Sequence, residues 1–205
     1  QNQQDFSSGL AEDHEWKKRI LHFGGGGNIN EQSTFKTYLN NYAAIARDTF
    51  LGASVISFYK TSPDPIEYLQ SQYFDSLITD GVSLITFYGH SSFNSFDVNL
   101  DHPSNYNNYG KYPIVVSNGC FTGDIHTGNS ISRQFVFEPD RGAIAFIAMI
   151  DYAELYSLNK FSTNFYNYLT KHSYDTDIGT VLKNTHNNVY ATGGSNSPLL
   201  RMLIE

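Results

Sequence analysis

Two stretches of the chain decide its fold: VSLITFYGHSS at residues 82–92 and PIVVSNGCFTGD at residues 113–124. Each contains a short apolar run of β-branched or aromatic residues and ends in turn residues, a pattern typical of buried strands. His90 follows the first run, and Cys120, the one cysteine of the chain, follows the second. Because ligands of an open parallel sheet bind beyond the carboxyl ends of its strands, we expect both side chains at that edge.

Similar patterns along the rest of the chain predict an alternation of strands and helices. Further strands are predicted at 19–23, 53–59 and 142–148, helices at 30–48, 66–78, 131–137, 156–172 and 178–190, and a long surface loop at 93–112. This alternation predicts an α/β fold whose mainly parallel sheet is covered by helices on both faces. Residues 1–14 are polar and are expected to form a loose lead-in to a single domain at 15–205.

The composition argues against several classes of partner. The formal net charge of −7 disfavours binding to nucleic acid or to an anionic membrane surface, since both need a basic face. The chain also lacks the run of roughly 18 apolar residues that a membrane-spanning helix requires. It begins with a polar segment, without Met or a signal peptide, so we expect it to be a piece of a longer precursor.

The pairing of one thiol with one imidazole suggests nucleophilic catalysis. A thiol becomes a good nucleophile when a nearby imidazole takes its proton, and His90 and Cys120 are the candidates for these roles. Gly89 and Gly119 let the backbone turn sharply beside them, and the N–H groups of Cys120 and Ser91 are candidates for an oxyanion hole. The alternative is a buried cysteine, acting as a small apolar residue, beside an unrelated loop histidine.

Other sites remain possible from the residues alone. Zinc could bind His90, Cys120 and His126, although they lack a recognised ligand spacing. The glycines at 24–27 follow a strand and could hold a phosphate, but they match neither dinucleotide nor P-loop motif, so a tight turn is the other interpretation. A hydrolase elbow with glycines on both sides of the nucleophile does not fit the sequence around Cys120.

The two stretches resemble the catalytic core of the gingipain family of cysteine peptidases. That family belongs to the caspase-like clan and includes the signal peptidases of the type IX secretion system. Its motif is a Gly-His-Gly turn after one strand and Cys-x-x-Gly after the next, which YGHSS at 88–92 and NGCFTG at 118–123 resemble. Residues 16–27, 142–148 and 197–200 are also similar, so the resemblance spans nearly all of 15–205.

The resemblance implies a chemistry and a setting. Cys120 would be the nucleophile and His90 the proton carrier in peptide-bond hydrolysis through a thioester, within a three-layer α/β/α caspase-like fold. The substrate would be a peptide or protein, and no metal or organic cofactor would enter the chemistry, although structural calcium is possible. The location would be extracellular or at the cell surface of a Bacteroidetes-type bacterium.

The chain departs from the family pattern in two places. Ser91 stands where the family has a glycine, which would misplace an oxyanion donor if that backbone needs a glycine-like conformation. The family also has a preceding subdomain, expected to pack against this one and to supply part of the specificity pocket and the acidic group that orients the histidine. A catalytically inactive domain that serves as a binding or scaffold module is therefore the alternative function, and a non-proteolytic thiol hydrolase or transferase is a third.

The specificity pocket is expected in the loop that follows the strand at 142–148. Asp151 or Glu154 could supply an acidic pocket for a basic residue before the scissile bond, the preference often found in the family. Tyr152 or Tyr156 could instead form an apolar wall.

Overall fold

The computed structural model describes residues 11–48, 50–68, 71–98, 100 and 102–193. Most of the polar lead-in, Leu69 of the helix predicted at 66–78, and the 197–200 stretch lie outside these residues. Ala11–Lys18 form a 3₁₀ helix, so the expected loose lead-in to residue 14 is wrong at its end. Trp16 anchors this helix because its side chain packs against the backbone of Gly81.

The sheet has five parallel strands in the order β2-β1-β3-β4-β5, which confirms the predicted α/β fold with a parallel sheet. The strands are β1 (Arg19–Gly24), β2 (Ser54–Tyr59), β3 (Leu84–Tyr88), β4 (Ile114–Asn118) and β5 (Ala145–Ala148). All residues of β3 are buried, as expected for a central strand with a helix layer on each face.

Five α-helices of the described chain cover the two faces of the sheet. They are α1 (Ile29–Ala46), α2 (Ser71–Asp80), α3 (Ile131–Phe137), α4 (Leu155–Asn167) and α5 (Ile178–Gly193). Side chains of α1, α4 and α5 pack on one face, and those of α2 and α3 pack on the other. Alternate residues of β3 enter the two cores, since successive side chains of a strand point to opposite faces.

Several element boundaries differ from the sequence-based prediction. The helix predicted from residue 66 begins at Ser71, because the Glu67 carboxylate accepts hydrogen bonds from Thr61 and Ser62 and holds that segment in a turn. The strand predicted from residue 142 begins at Ala145, because Gly142 has a φ of 77° and both its N–H and its carbonyl bond to Asn108. The helix predicted to residue 172 leaves α geometry after Asn167 and continues as a π-helix, Tyr168–His172.

His22 lies in β1, inside the core beneath α1 and α4. Its Nε2 is 2.8 Å from the hydroxyl of Tyr166, which also contacts the hydroxyl of Thr86 at 2.7 Å. Burial, with a smaller contribution from the charge of Arg47, lowers the pKa of His22 to about 3. The residue is a neutral core histidine at physiological pH.

This buried imidazole should make the stability of the fold fall in mild acid. The unfolded chain protonates His22 below its ordinary pKa near 6.5, whereas the folded chain does so only near pH 3. The contribution of neutral His22 to the free energy of unfolding is therefore present above pH 6.5. It is lost as the pH falls, by about 3 kcal/mol between pH 7 and pH 4. Urea unfolding at several pH values should show that His22→Leu loses less stability over this range than the parent. Equal losses in the two proteins would contradict this assignment.

Candidate active site

His90 and Cys120 leave neighbouring strands at the same edge of the sheet. β3 pairs with β4 in parallel, and in that register Tyr88 lies beside Asn118. One glycine follows each of these residues before the histidine and the cysteine. The expectation that the two predicted strands end side by side is thus met, and the two reactive side chains start from equivalent positions.

The hydrogen-bond ladder between these strands stops just before the reactive residues. Its last backbone bond runs from the Gly89 N–H to the carbonyl of Asn118, at 3.2 Å. The next acceptor in a parallel ladder would be the carbonyl of Cys120, and the Ser91 hydroxyl donates to it at 2.8 Å in place of a backbone amide. The N–H groups of Ser91 and Cys120 therefore make no hydrogen bond within the described part of the chain.

Ser91 begins a short antiparallel hairpin that explains its unpaired N–H. The flanking bonds run from Asp97 N–H to the His90 carbonyl, at 2.9 Å, and from Ser92 N–H to the Ser95 carbonyl, also at 2.9 Å. These bonds make Ser91 and Phe96 a non-hydrogen-bonded pair, whose backbone groups point away from the hairpin. The N–H of Ser91 is left for a partner outside the hairpin.

Serine in place of the family's glycine does not strain this backbone. Among the described residues, positive φ angles outside glycine occur at Phe121, Asp140 and Asp175, so Ser91 has an ordinary conformation. Its side chain takes space that Gly119 leaves empty, since a Cβ at Gly119 would lie 2.1 Å from the Ser91 Oγ. A glycine-like backbone is therefore not required for the N–H of residue 91 to take its present position.

The loop after β5 holds the cysteine turn from the other side. The half-buried Sγ of Cys120 accepts a hydrogen bond from the N–H of Ala153 at 3.4 Å. Phe121 has a φ of 61°, a conformation that costs about 1 kcal/mol or more in a non-glycine residue. Its N–H donates to the carbonyl of Asp151 at 3.2 Å, and its ring meets that of Tyr152 edge to face, with centroids 4.6 Å apart. These contacts stabilise the strained turn that presents the thiol.

Glu31, which the sequence analysis did not single out, binds His90. Its Oε2 lies 2.9 Å from His90 Nε2 and accepts a hydrogen bond from the Gly27 N–H at 2.8 Å. The hydrogen bond with His90 lowers the pKa of Glu31, against the opposing effect of partial burial. An acidic partner for His90 is thus present in this chain, at the start of α1.

A local signal for Glu31 exists in the sequence. Asn28 caps α1 by accepting hydrogen bonds from the N–H groups of Asn30 and Glu31. An acidic residue three positions after such a cap, at the carboxyl end of a predicted strand, is a candidate for the same sheet edge as His90. What the sequence does not show is that β1 lies directly beside β3.

The glycine loop at 24–27 is a tight turn that has no free N–H groups for a phosphate. The N–H of Gly25 donates to the Tyr88 carbonyl, that of Gly26 to the Asp97 carboxylate, and that of Gly27 to Glu31, each at 2.8 Å. The zinc site considered from the sequence is not formed either. Among the described residues, no group of three His, Cys, Asp or Glu side chains lies close enough to bind a metal ion, and this includes His90, Cys120 and His126.

The expected pocket residues lie beside the cysteine turn, but their carboxylates are occupied. The Glu154 carboxylate caps α4 by accepting from the N–H groups of Tyr156 and Ser157, each at 2.8 Å. Burial would raise the pKa of Glu154, but these hydrogen bonds outweigh it and hold the pKa below its usual value. Asp151 accepts from the N–H of Tyr152 at 2.7 Å. Tyr152 and Tyr156 are 73% and 67% exposed.

Comparison with known proteins identifies relatives of this fold and site. A model of peptidase family C25 matches residues 4–203. The solved structure of the Arg-specific cysteine proteinase gingipain R aligns with a TM-score of 0.75 and 14% identity, over 95% of this chain and 46% of that one. A complex of the pro- and mature domains of RgpB from Porphyromonas gingivalis aligns with a TM-score of 0.76 and 15% identity, over 95% and 47%.

A third structure, described as a protease, aligns with a TM-score of 0.67 and 12% identity, over 89% of this chain and 44% of that one. No curated protein matches the chain. The chain thus spans less than half the length of the solved structures that it matches. Within the described residues, no helix is long and apolar enough to cross a membrane.

The contact between Ser91 and Gly119 can be tested by adding a side chain at position 119 and removing the one at position 91. Gly119→Ala should lower the unfolding free energy by about 1–3 kcal/mol, because the new methyl overlaps the Ser91 hydroxyl and crowds Phe87. The double variant Gly119→Ala with Ser91→Gly should recover most of this loss in chemical denaturation. Gly128→Ala is the control, since a Cβ there meets no atom within 4 Å. A double variant no more stable than Gly119→Ala would show that the two positions are independent.

Proposed function

Since the chain belongs to peptidase family C25, a family of cysteine peptidases, we propose that it hydrolyses peptide bonds with Cys120 as nucleophile and His90 as proton carrier. The end of the ladder between β3 and β4 supports this proposal most directly. There, one thiol, one imidazole and two unpaired backbone N–H groups occupy the same sheet edge. Acyl transfer through a thiol requires these groups.

The proposed reaction proceeds through a thioester. Cys120 passes its proton to His90, and the thiolate attacks the carbonyl carbon of the substrate. The N–H groups of Cys120 and Ser91 donate hydrogen bonds to the resulting oxyanion. As the C–N bond breaks, His90 gives its proton to the departing amine. His90 then takes a proton from water, and the resulting hydroxide attacks the thioester carbon. The C–S bond breaks, the acid leaves, and the proton on His90 returns to the sulfur.

Glu31 has a defined part in this scheme. Its hydrogen bond occupies Nε2 of His90, which leaves Nδ1 as the nitrogen that exchanges a proton with the thiol. The carboxylate also stabilises the imidazolium that forms when His90 takes the proton. The ring of Phe35, with its centroid 6.2 Å from that of His90, packs against the imidazole and limits its rotation.

We propose that the substrate pocket includes the loop after β5, with an aromatic rather than an acidic wall. Tyr152 and Tyr156 are exposed beside the cysteine turn, whereas Glu154 is used as a helix cap and Asp151 binds its neighbour's N–H. An apolar residue before the scissile bond would be preferred by such a wall. Residues that precede this chain could complete the pocket, since the solved relatives are more than twice as long.

The setting of the enzyme is also a proposal. We infer a secreted or cell-surface peptidase linked to type IX secretion in a Bacteroidetes-type bacterium, acting on peptides or proteins without a catalytic metal or organic cofactor. Support comes from the family match and from the likeness to RgpB of Porphyromonas gingivalis. A preceding subdomain would pack against this one, and any bound calcium would be structural rather than catalytic. An inactive scaffold module is the alternative.

Coupling of the thiol to the imidazole is testable by alkylation. Iodoacetamide should modify Cys120 at neutral pH, and His90→Ala should slow the reaction by about tenfold or more, because the thiol then lacks its proton acceptor. Mass spectrometry of the intact protein measures the rate. The control is His102→Ala, which removes another exposed histidine, one that bonds only within its own turn in the described structure. Equal rates in the parent and His90→Ala would refute the coupled pair.

Cleavage decides between the enzyme and the scaffold. The native-length polypeptide should cut members of a mixed peptide library, and Cys120→Ala should abolish cutting while leaving the circular dichroism spectrum unchanged. If the parent is folded and cuts no peptide, the scaffold alternative is favoured.

The role of Glu31 predicts an intermediate effect. Glu31→Gln should slow alkylation of Cys120 by about tenfold, which corresponds to the loss of one charge-assisted hydrogen bond. Glu138→Gln is a matched control at the carboxyl-terminal end of α3. Glu138 forms no ion pair with any of the described residues. A parent-like rate in Glu31→Gln would mean that the carboxylate does not act on the histidine.

A further inference from the structure

Asp97 lies beneath the candidate site and touches two of its turns. Its side chain is 7% exposed. A Cβ added to Gly25 would lie 2.0 Å from its Oδ1, and one added to Gly89 would lie 2.6 Å from the same atom. The glycine turn after β1 and the histidine turn after β3 therefore both pack directly against this carboxylate. Gly25 in the first turn and Gly89 in the second are the residues in contact with it.

The carboxylate has few partners for a buried anion. Oδ2 accepts a hydrogen bond from the Gly26 N–H at 2.8 Å and lies 3.8 Å from Nζ of Lys60, which is also buried. Oδ1 is buried without a hydrogen bond of normal geometry in the described structure. Burial raises the pKa of Asp97, and the Gly26 N–H, the Lys60 charge, and the backbone and charge of His90 only partly offset this effect.

A buried ion pair such as Lys60 and Asp97 is not by itself evidence of added stability. Well-packed apolar side chains of similar volume are often as stabilising or more so, whereas removing one partner alone is strongly destabilising. The Lys60 and Asp97 pair therefore calls for another explanation than stability. The contacts of Asp97 with the site supply one.

Asp97 links the two segments that carry Glu31 and His90. Its carboxylate binds Gly26, and the next residue, Gly27, donates to the Glu31 carboxylate. Its own N–H donates to the carbonyl of His90 at 2.9 Å. One buried residue thus contacts the segments that carry both members of the Glu31–His90 hydrogen bond.

We propose that Asp97 is a positioning residue of the peptidase site, whose buried carboxylate holds the glycine turn and the histidine turn at the distance that the Glu31–His90 pair requires. The proposal rests on the peptidase function proposed above. Because a small misplacement of a catalytic group costs a large factor in rate, loss of this contact should act on catalysis through geometry.

The first test is Asp97→Asn, which keeps the shape and removes the charge. Alkylation of Cys120 by iodoacetamide should slow by about tenfold or more, and on a cleaved peptide kcat should fall while KM stays nearly constant. Asp48→Asn is the chemically matched control, because Asp48 pairs with Lys171 near the far end of α1 from the site. It should leave the alkylation rate, kcat and KM unchanged.

Lost stability must be separated from lost positioning, since Asp97→Asn leaves Lys60 buried without its counter-ion. The double variant Asp97→Asn with Lys60→Met removes that charge and should recover thermal stability. If Asp97 positions the site, the double variant stays slow in alkylation and in kcat although it is stable. Parent-like rates in the double variant would overturn the proposal and leave Asp97 a partner of Lys60 alone.

The same measurements distinguish failure of this inference from failure of the proposed function. If His90→Ala does not slow alkylation of the parent, the thiol–imidazole pair itself is refuted. If His90→Ala slows it and Asp97→Asn does not, the pair stands and the positioning role is wrong.

Discussion

The parallel pairing of β3 with β4 is the constraint on which the site depends. Its register sets Gly89 beside Gly119, so the residues after them leave the sheet together. The ladder ends there because the Ser91 hydroxyl, rather than its N–H, donates to the Cys120 carbonyl. The amides of Ser91 and Cys120, which a continued ladder would use, thereby have no hydrogen-bond partner among the described residues. The regular pairing of β3 with β4 is thus followed by two backbone N–H groups that can donate hydrogen bonds to another molecule.

Close backbone approach is the second constraint, and glycine makes it possible. Gly25 and Gly89 face the Asp97 carboxylate at distances that leave no space for a side chain, and Gly119 does the same for the Ser91 hydroxyl. Each contact joins turns that follow different strands. The site is therefore held from below by close packing, while the imidazole and its carboxylate partner above remain partly exposed, with 56% and 31% of their side-chain surface accessible. The close packing lies on one side of these turns and the exposed imidazole lies on the other, so the site is both rigidly supported and open to a substrate.

Serine at position 91 shows why a family motif has to be considered together with its neighbours. The family's glycine suggests a backbone need, yet Ser91 has an ordinary φ and gives its hydroxyl to the cysteine turn. The substitution is accommodated by Gly119, on the adjacent strand end, rather than by a change in the backbone of residue 91.

The sequence by itself determined the strands around residues 84–88 and 114–118, the parallel α/β class, and the placement of His90 and Cys120 at one sheet edge. These features follow from local patterns: β-branched runs, turn residues, and one cysteine. Tertiary structure alone decided that Glu31 meets His90, that Asp97 joins their turns, and that Ala153 donates to the thiol. Each of these contacts connects segments distant in sequence, and depends on β1 lying beside β3 and on the β5 loop closing over β4. Strand order is an outcome of burying both sheet faces at once, and no local stretch of residues encodes it.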